Sequence, residues 1–412
     1  MAKSDSPKSL KDKTLLVLSW FPDKDGKCVS GIFVKDQVDR LKEHFKEIIV
    51  IDTVPYVPSL LVPLLPKHLR PFFSKKDYSY DNVYVHFPRF IRLPNWLGGD
   101  KKDFASLRLR AVMKVLKKSG MDFDLIHAHF TWPAGYIGLE LKKAYHKPLI
   151  TTVHENYRAL LDELKESNPK NVAVWKESDA IIEISGGDLL KSRNKLCFHL
   201  PNGFKDEIFY PKKNAKERLG LPTGKKVILN VGGLVERKGQ LDLIRALSEI
   251  LKKRDDVLCY IIGRGSFEPT LRSAITKAGL EKNVMIMSDS VSNEDLSLWM
   301  NACDVFAFPS LSESFGIAQI EAMACGKPVV ATRNGGSEHI IVSDELGALV
   351  EPGDCDGLAA ALGRALEKKW DSKKIRAYAL KFSLGNIVGQ VLGVYHRVLA
   401  RQDNGKKGKT SS

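Results

Sequence analysis

Short apolar runs alternate with segments of helical periodicity along nearly the whole chain, and this alternation limits the fold more than any other feature. Segment 238–252, for example, places Leu241, Ile244, Leu247 and Leu251 on one helix face, as in a helix packed on a sheet. Strand–helix alternation predicts an α/β fold whose parallel sheets are covered by helices on both faces. Right-handed crossovers then make each sheet doubly wound.

The alternation defines these elements along the chain. The predicted strands are 14–19, 47–53, 82–87, 124–128, 148–153, 180–184, 196–199, 226–231, 257–262, 283–287, 304–308, 328–332 and 347–350. The predicted helices are 32–45, 101–119, 135–146, 186–193, 238–252, 267–279, 293–302, 316–325, 355–368 and about 384–400.

The pattern starts again after the turn-rich stretch Leu200-Pro201-Asn202-Gly203, so we place a domain boundary near residue 202. Two Rossmann-like domains are expected, facing each other across a cleft that binds ligands at the carboxyl ends of the strands. The polar ends of the chain lack an apolar pattern and are expected to be disordered. The predicted divisions are a tail 1–13, a first domain 14–201, a second domain 202–383, a helix 384–401 that crosses back to the first domain, and a tail 402–412.

The strongest chemical signal is the run ESFGI, which follows a predicted strand and leads into a helix. Its Glu313 lies eight positions before Glu321, and eight residues of helix span about 12 Å. These carboxylates are too far apart to share one proton transfer, but they suit the two ends of an extended ligand. The amides of Phe315, Gly316 and Ile317 lie at the helix start, which favours an anion. The segment therefore suits a sugar–phosphate–nucleoside molecule; the alternative is an ordinary solvated helix start.

A strand, two glycines and a basic helix start follow one another in the run VGGLVERKG, which contains Gly233, Arg237 and Lys238. The two cations suit a diphosphate, and the alternative is a solvated helix end. The run is not a GxGxxG sequence, and the later run Gly263-Arg264-Gly265 has Glu268 at the third glycine position. A dinucleotide fingerprint is therefore weakly supported.

Two histidines, His127 and His129, end one predicted strand, and His154 ends the next. A histidine at a strand carboxyl end donates a hydrogen bond to a sugar hydroxyl or holds charge near a leaving group. We interpret His127 as a core residue with a satisfied hydrogen bond. The rival interpretation is a metal site made by the three histidines, which no acidic or cysteine ligand spacing supports.

The first predicted strand is followed by a loop in which Gly31 opens a helix. Such a loop either forms a backbone nest for an anion or is a plain turn between a strand and a helix. The residues alone leave both interpretations open.

The net charge of +15 predicts an anionic partner, but the basic residues are spread along the chain with no nucleic-acid motif. We therefore expect no nucleic acid as partner. The six cysteines are scattered without a CxxC pair, which predicts a reducing, cytoplasmic setting. Residues 54–73 mix apolar, aromatic and basic side chains. This loop either lies in a membrane interface or packs on its own domain.

The stretch from Glu313 and Gly316 through Glu321 to Gly335-Gly336 resembles the diagnostic stretch of the retaining glycosyltransferases of family 4, which have the GT-B fold. The resemblance covers residues 14–400, about the whole predicted globular part. The run Gly31-Ile32-Phe33-Val34-Lys35 is similar to the subgroup that makes bacterial or archaeal surface polysaccharides, including the teichuronic-acid type.

The resemblance implies a role for most of the residues above. Glu313 corresponds to the carboxylate that holds the donor sugar, Glu321 to the one that binds the ribose, and Lys238 to the diphosphate lysine. His129 corresponds to the histidine near the anomeric centre, and His154 is a candidate contact for the acceptor or sugar. The implied catalytic residues are His129, Lys238 and Glu313, and the implied donor-binding residues are Gly31, Gly233, Arg237, Lys238, Glu313, Phe315, Gly316, Ile317 and Glu321.

The implied reaction moves a sugar from a UDP- or GDP-sugar to a glycan or lipid-linked acceptor, with retained configuration and without a metal ion or other cofactor. Gly233 stands where the family often has an arginine, and Arg237 is the candidate substitute. Two other functions compete with this one. A NAD-dependent sugar-nucleotide epimerase needs a true GxGxxG after its first strand, and a non-catalytic nucleotide-sugar-binding protein tolerates loss of His129.

Overall fold

The computed structural model of the protein describes residues 9–28, 30–66, 69–91, 104–155, 160–162, 168–185, 190–289 and 291–407. The chain divides into two compact units. Unit 1 consists of Met1–Glu155, Leu161–Leu200 and Val388–Ser412, and unit 2 of Asn156–Leu160 and Pro201–Ile387.

Unit 1 is built on a mainly parallel sheet. Its strands are β1 Thr14–Leu18, β2 Glu47–Ile51, β3 Val54–Pro55, β4 Tyr78–Tyr80, β5 Val83–His86, β6 Arg89–Phe90, β7 Leu125–His129, β8 Leu149–Val153, β9 Ala180–Glu183 and β10 Cys197–His199. Its helices are Ile32–Leu41, Arg70–Phe73, Ala105–Lys118, Tyr136–Tyr145 and Pro169–Glu177, with 3-10 turns at Lys42–His44 and Ser59–Leu64. Eight strands pair in the order β10-β9-β8-β7-β1-β2-β5-β4, and β3 pairs with β6. In the large sheet the pair of β4 and β5 is antiparallel.

Unit 2 is built on a six-stranded sheet in which the pairs are parallel. Its strands are β11 Lys226–Val231, β12 Val257–Ile262, β13 Val284–Met287, β14 Val305–Phe308, β15 Val329–Thr332 and β16 Gly347–Val350. Its helices are Ala215–Arg218, Gln240–Leu251, Glu268–Lys277, Asn293–Ala302, Ile317–Ala324, Cys355–Glu367 and Ser372–Ala379, with 3-10 turns at Glu236–Lys238, Ser337–His339 and Leu380–Phe382. The order β13-β12-β11-β14-β15-β16 is that of a dinucleotide-binding Rossmann sheet.

The helix Gln240–Leu251 shows how the apolar pattern builds the core of unit 2. Leu243, Ile244, Leu247 and Ile250 are buried in one cluster with the apolar side chains of β11 and β12. The buried stripe is turned slightly from the predicted one, because Leu241 and Leu251 lie at its margin and are only partly buried. The prediction of an α/β fold with parallel, doubly wound sheets is confirmed.

The described structure extends into both of the predicted tails. Leu10 is buried, so order begins before residue 14. The last helix spans Leu384–Lys407 rather than ending at 401. Its buried stripe includes Val391, Val394 and Val398, and once such a helix is nucleated each further residue adds a backbone hydrogen bond at little cost. Residues 1–8 and 408–412 lie outside the described residues.

Several short elements differ from the prediction. Residues 190–193 form a turn instead of the end of a helix, and 186–189, like 101–103 of another predicted helix, lie outside the described residues. The helix Pro169–Glu177 was not predicted, although Asn168 caps it and proline stands at its first position. Strands β3, β4 and β6 are two or three residues long, too short to show a period. Among the helices of the described residues, we find none with the length and apolar character that crossing a membrane requires.

Candidate functional site

The strand order reverses at one position in each large sheet, and the predicted site residues follow the strands that meet there. In unit 2 the reversal lies between β11 and β14, and in unit 1 between β1 and β7. Helices leave neighbouring strands on opposite faces at such a point, so the carboxyl ends of the two strands border a crevice. Each unit therefore presents its own half-site.

In unit 2 a cluster of charges joins the two predicted donor-binding runs. Lys238 Nζ donates a short hydrogen bond to Glu313 Oε1, and Arg237 Nη1 lies 3.5 Å from the same oxygen. The lysine and glutamate side chains are 16% and 9% exposed, whereas that of Arg237 is 59% exposed. The ammonium of Lys238 also lies 5.5 Å from the centroid of the Phe308 ring at the end of β14. Residues that are 75 positions apart thus form one partly desolvated ion pair.

The 3-10 turn Glu236–Lys238 is held against the loop after β14 by close backbone contact. Gly239 follows the turn with φ +66°, and a Cβ placed there would lie 1.9 Å from the carbonyl oxygen of Pro309. Only glycine fits both the positive φ and this approach. The amide of Leu311 donates to the carbonyl of Arg237 at 2.8 Å, which fixes the same two segments together.

The two glycine runs of unit 2 pack on each other. A Cβ on Gly263 would lie 1.8 Å from the carbonyl oxygen of Gly232, and one on Gly265 would lie 2.0 Å from that of Leu234. These glycines are therefore explained by backbone packing between the loops after β11 and β12. Gly233 has more room, and its carbonyl accepts a hydrogen bond from Gln240 Nε2 at 3.1 Å.

The run 313–317 is shaped by the turn after β15. The amide of Glu313 donates to the carbonyl of Asn334 at 3.0 Å. Asn334 Oδ1 in turn accepts from the amides of Gly336 and Ser337, at 3.1 and 2.9 Å. The side chain of Phe315 is buried and its ring contacts Phe382, so this residue offers its backbone and not its ring to a ligand.

Gly316 precedes the helix Ile317–Ala324 and has φ +99°, and no side chain caps this helix start. The amides of Ile317 and Ala318 are the first of the helix, where a partial positive charge favours an anion. Glu321 lies one turn further along the same helix and is partly buried. The structure thus places the predicted residues of unit 2 around the carboxyl ends of β11 and β14.

In unit 1 the predicted histidines are buried together at the ends of β7 and β8. His129 Nδ1 lies 2.9 Å from His154 Nε2, and the His127 and His129 ring centroids are 4.2 Å apart. His127 is hydrogen bonded through both ring nitrogens, to Tyr395 Oη and Thr152 Oγ1, each at 2.7 Å. The interpretation of His127 as a satisfied core residue is confirmed.

Burial keeps all three histidines neutral near pH 7. Loss of hydration lowers the pKa of His127 and of His154 to about 3. The pKa of His129 is held well below its usual value by the same cause and by the two neighbouring rings. His129 is therefore suited to hydrogen bonding, and the expectation that a histidine here carries charge is not supported.

An aromatic layer connects the histidines to Gly31. The centroids of the Phe33 and His154 rings are 4.9 Å apart, and those of the Phe130 and Trp20 rings are 4.8 Å apart. Gly31 has φ +77°, and a Cβ there would lie 1.9 Å from the carbonyl oxygen of Trp20. The loop after β1 therefore requires glycine for packing, independently of any ligand.

Sequence reasoning missed the polar residues that surround these half-sites. Arg108 is one of several basic residues on a predicted helix, and nothing in the pattern distinguishes it. Asn334 and Gln240 act through side-chain hydrogen bonds to loop backbone, which leave no periodic signal. In the part of the chain that the structure describes, no three His, Cys, Asp or Glu side chains are grouped to hold a metal ion.

Two family profiles match the chain. The profile described as "Glycosyltransferase Family 4" matches residues 44–185, and that described as "Glycosyl transferases group 1" matches residues 211–382. Apart from residues 156–160, the first match lies in unit 1, and the second lies in unit 2.

Relatives found by sequence comparison are also named as glycosyltransferases. The chain is 31% identical over 250 residues to the D-inositol 3-phosphate glycosyltransferase of an Arthrobacter species, covering 56% of this chain and 59% of that protein. It is 29% identical over 332 residues to the D-inositol 3-phosphate glycosyltransferase of Acidothermus cellulolyticus, covering 73% and 72%.

Solved structures share the fold at low sequence identity. Sucrose-phosphate synthase from Thermosynechococcus elongatus superposes with a TM-score of 0.72 at 21% identity, covering 94% of this chain and 100% of the other. Anabaena HepE in complex with UDP gives a TM-score of 0.69 at 21% identity, covering 93% and 99%.

Proposed function

This chain belongs to family 4 of the glycosyltransferases and has the GT-B fold, and from that premise we propose that it moves a sugar from a nucleoside-diphosphate donor to an acceptor hydroxyl, retaining the anomeric configuration and using no metal ion. The observation that carries this proposal is the ion pair of Lys238 with Glu313 beside the helix start at Ile317. It sets a cation, a carboxylate and the first amides of a helix around one crevice.

Each group of unit 2 meets one part of the proposed donor. The ammonium of Lys238, with Arg237 beside it, neutralises the diphosphate. The amides at Ile317 bind a phosphate oxygen, and Glu313 accepts hydrogen bonds from sugar hydroxyls. Glu321, one turn further on, binds the ribose.

The proposed reaction has a simple balance of bonds. The bond between the anomeric carbon and the phosphate oxygen breaks, and a bond from the same carbon to the acceptor oxygen forms. The acceptor proton passes to the leaving phosphate on the same face of the sugar. The charge that develops on the phosphate is stabilised by Lys238 and Arg237. A double displacement would need two carboxylates about 5 Å apart at one carbon, whereas the proposal assigns Glu313 to the sugar hydroxyls and Glu321 to the ribose, at opposite ends of the donor.

The named ligands of similar proteins narrow the proposed substrates. Structures of Anabaena HepE hold UDP and UDP-glucose, so we take uracil as the first base to test. In unit 1, His129 is proposed to lie near the anomeric centre as a neutral hydrogen-bonding group, and His154 to orient it. The acceptor is proposed to be a glycan or a lipid-linked molecule of surface-polysaccharide synthesis.

We further propose contact with the inner face of the cell membrane through the segment Ser59–Leu64. Leu60 and Leu64 are 84% and 80% exposed there, and Tyr56 just before them is also exposed. Exposed leucines next to a basic residue such as Arg70 suit an interface with anionic lipid.

Calorimetry of nucleotide binding tests the proposal. UDP, GDP, ADP and NAD are titrated in EDTA into the wild-type protein and into the variants Glu321→Ala and Glu294→Ala, the latter exposed on another helix of unit 2. We expect one nucleoside diphosphate to bind, with affinity lowered about tenfold or more in Glu321→Ala and unchanged in Glu294→Ala. Binding of NAD alone would favour the epimerase, and binding of no nucleotide would refute the proposal.

A further inference from the structure

A buried ion pair of unit 1 takes no part in the proposed transfer chemistry. Lys75 Nζ donates to Asp52 Oδ2 at 2.8 Å, and the two side chains are 0% and 2% exposed. The ammonium also lies 5.1 Å from the centroid of each of the Phe72 and Phe87 rings. Replacing a buried ion pair by apolar residues of similar volume is often neutral for stability or increases it. Fold stability alone therefore gives a weak reason for two charges at this place.

Both charges hold the backbone of one residue, Phe21, in the loop after β1. The Phe21 amide donates to Asp52 Oδ2 at 3.2 Å, and the Phe21 carbonyl accepts from Lys75 Nζ at 2.5 Å. With the bond between the two side chains, these hydrogen bonds close a ring through the ammonium, the carboxylate and the Phe21 peptide groups. Hydrogen bonds to charged groups are about twice as strong as neutral ones, so the ring favours one position of this backbone.

The ion pair is itself fixed by contacts from other elements. Arg89 donates through Nη2 to the carbonyl of Lys75, which holds the chain next to the ammonium. Arg108 attracts the Asp52 carboxylate, and its Nη1 donates to the side chain of the following residue, at 3.1 Å from Thr53 Oγ1. The surrounding fold thus places both members of the pair, and the pair in turn places the loop.

Phe21 adjoins Trp20, which connects the loop to the buried histidines. The Trp20 and Phe130 ring centroids are 4.8 Å apart, and those of the Phe130 and His154 rings are 4.7 Å apart. The Trp20 carbonyl also meets Gly31, where a Cβ would lie 1.9 Å from its oxygen. A shift of the Phe21 backbone would therefore disturb both the aromatic layer beside His154 and the packing of Gly31.

We propose that Lys75 and Asp52 are positioning residues of the transfer reaction, which hold the backbone of Phe21 so that the half-site of unit 1 keeps the arrangement that transfer needs. The inference rests on the proposed transferase function. Both residues act through the loop and not by contact with a substrate. We therefore expect their loss to lower kcat and to leave UDP binding by unit 2 nearly unchanged.

Two variants separate this role from a role in stability. Lys75→Met leaves the Asp52 carboxylate buried without its ammonium, whereas Lys75→Met combined with Asp52→Leu removes both charges. Both variants release the Phe21 carbonyl. We expect the single variant to unfold at a lower urea concentration than the wild type, and the double variant to recover most of that loss. With the nucleotide sugar identified by the binding experiment, kcat should fall about tenfold or more in both.

The fluorine NMR spectrum of protein labelled with fluorotryptophan reports on the loop directly. The Trp20 resonance, assigned by its absence in Trp20→Phe, should shift or broaden in both variants. Lys142→Met is the matched control, because it breaks an ion pair of the same unit, that with Asp179 at 2.7 Å. This control should keep the kcat, the UDP affinity and the Trp20 resonance of the wild type.

A double variant with lowered kcat, recovered stability and unchanged UDP affinity supports the inference. Recovery of kcat together with stability would show that the pair acts on the fold alone, and it overturns the inference. An unchanged Trp20 resonance in both variants overturns it as well. Failure of the wild type to bind UDP or to transfer a sugar refutes the transferase proposal instead, which the fluorine spectrum does not require.

Discussion

At the scale of single residues, the ion pair of Lys238 and Glu313 joins the group proposed to stabilise the leaving phosphate to the group proposed to bind the sugar. Burial makes the two residues depend on each other, because the Glu313 side chain is only 9% exposed. Among the ion pairs of the described residues, removal of Lys238 leaves Glu313 only the longer contact to Arg237, at 3.5 Å. An unpaired buried charge costs more than the pair itself contributes. Loss of Lys238 therefore affects both the charge on the leaving phosphate and the position of Glu313.

We expect Lys238→Ala to lower kcat roughly 100-fold or more, because the leaving phosphate loses its main cation. Turnover is measured with the nucleotide sugar identified by the binding experiment. The matched control is Lys253→Ala, which removes an exposed lysine of the same unit. Wild-type turnover in Lys238→Ala would remove this residue from the mechanism.

The buried histidines of unit 1 predict how stability depends on pH. Burial lowers the pKa of His127 to about 3, whereas the unfolded chain titrates near 6.5. Between these values the unfolded state binds a proton that the folded state refuses. The stabilisation is therefore complete above pH 6.5 and is lost progressively as the pH falls toward 3.

The variant His127→Gln tests this dependence, because glutamine does not titrate. Between pH 7 and pH 5 the wild type should lose about 2 kcal/mol more of its free energy of unfolding than the variant does. Urea unfolding at the two pH values gives the comparison. Equal losses in both proteins would show that His127 is protonated in the folded state.

At the scale of elements, the turn Glu236–Lys238 depends on a single glycine. A Cβ at Gly239 meets the backbone of Pro309, and backbone cannot move aside as a side chain can. The turn is thereby pressed against the loop that carries Glu313, which brings Lys238 to its partner.

The variant Gly239→Ala should separate the turn from that loop and weaken nucleotide binding. Gly279→Ala is the matched control, since its φ of +68° equals that of Gly239 within a few degrees but its Cβ meets nothing within 4 Å. The control should lose only about 1 kcal/mol of stability from backbone strain and keep its UDP affinity. Equal UDP affinity in both variants would contradict the role assigned to the close contact.

The segment Ser59–Leu64 predicts a second effect at this scale. The double variant Leu60→Glu, Leu64→Glu should lose binding to vesicles that contain anionic lipid, because charged side chains replace the exposed apolar ones. Val342→Glu, at an exposed apolar residue of unit 2, is the control and should bind as the wild type does. Flotation on a density gradient measures the bound fraction, and unchanged flotation of the double variant would exclude this segment as the contact.

At the scale of the whole molecule, the net charge of +15 adds a long-range attraction to any anionic surface. Raising the salt concentration from about 0.05 to 0.5 M shortens the screening length below 10 Å. We expect binding to anionic vesicles to weaken about tenfold or more over this range. Binding to neutral vesicles, measured in the same way, should hardly change. Salt-independent binding to anionic lipid would leave the leucines alone as the attachment.

The architecture could be predicted because the apolar residues of each element recur with its own period within a few positions of the chain. Strands such as β1 and β11 and the helix Gln240–Leu251 are examples. The sequence also singled out the run 313–317, whose residues are contiguous, and the structure places that run between β14 and the helix Ile317–Ala324. It did not predict the pairing of Lys238 with Glu313 or the place of Arg108, since these depend on contacts between residues far apart in the chain. A helix of many basic residues gives no reason to single out one of them. Such positions are decided by packing in three dimensions.

The resting ion pair has a consequence for the order of events in the proposed reaction. A diphosphate that reaches Lys238 finds the lysine already occupied, so binding is an exchange of one anion for another. A nucleotide sugar compensates the released Glu313 with its hydroxyls, whereas a nucleoside diphosphate without a sugar leaves that carboxylate bare. In the proposed reaction the nucleoside diphosphate product therefore competes less well with Glu313 for Lys238 than the nucleotide sugar does. Formation of the Lys238–Glu313 ion pair then favours release of the product and restores the site for the next donor.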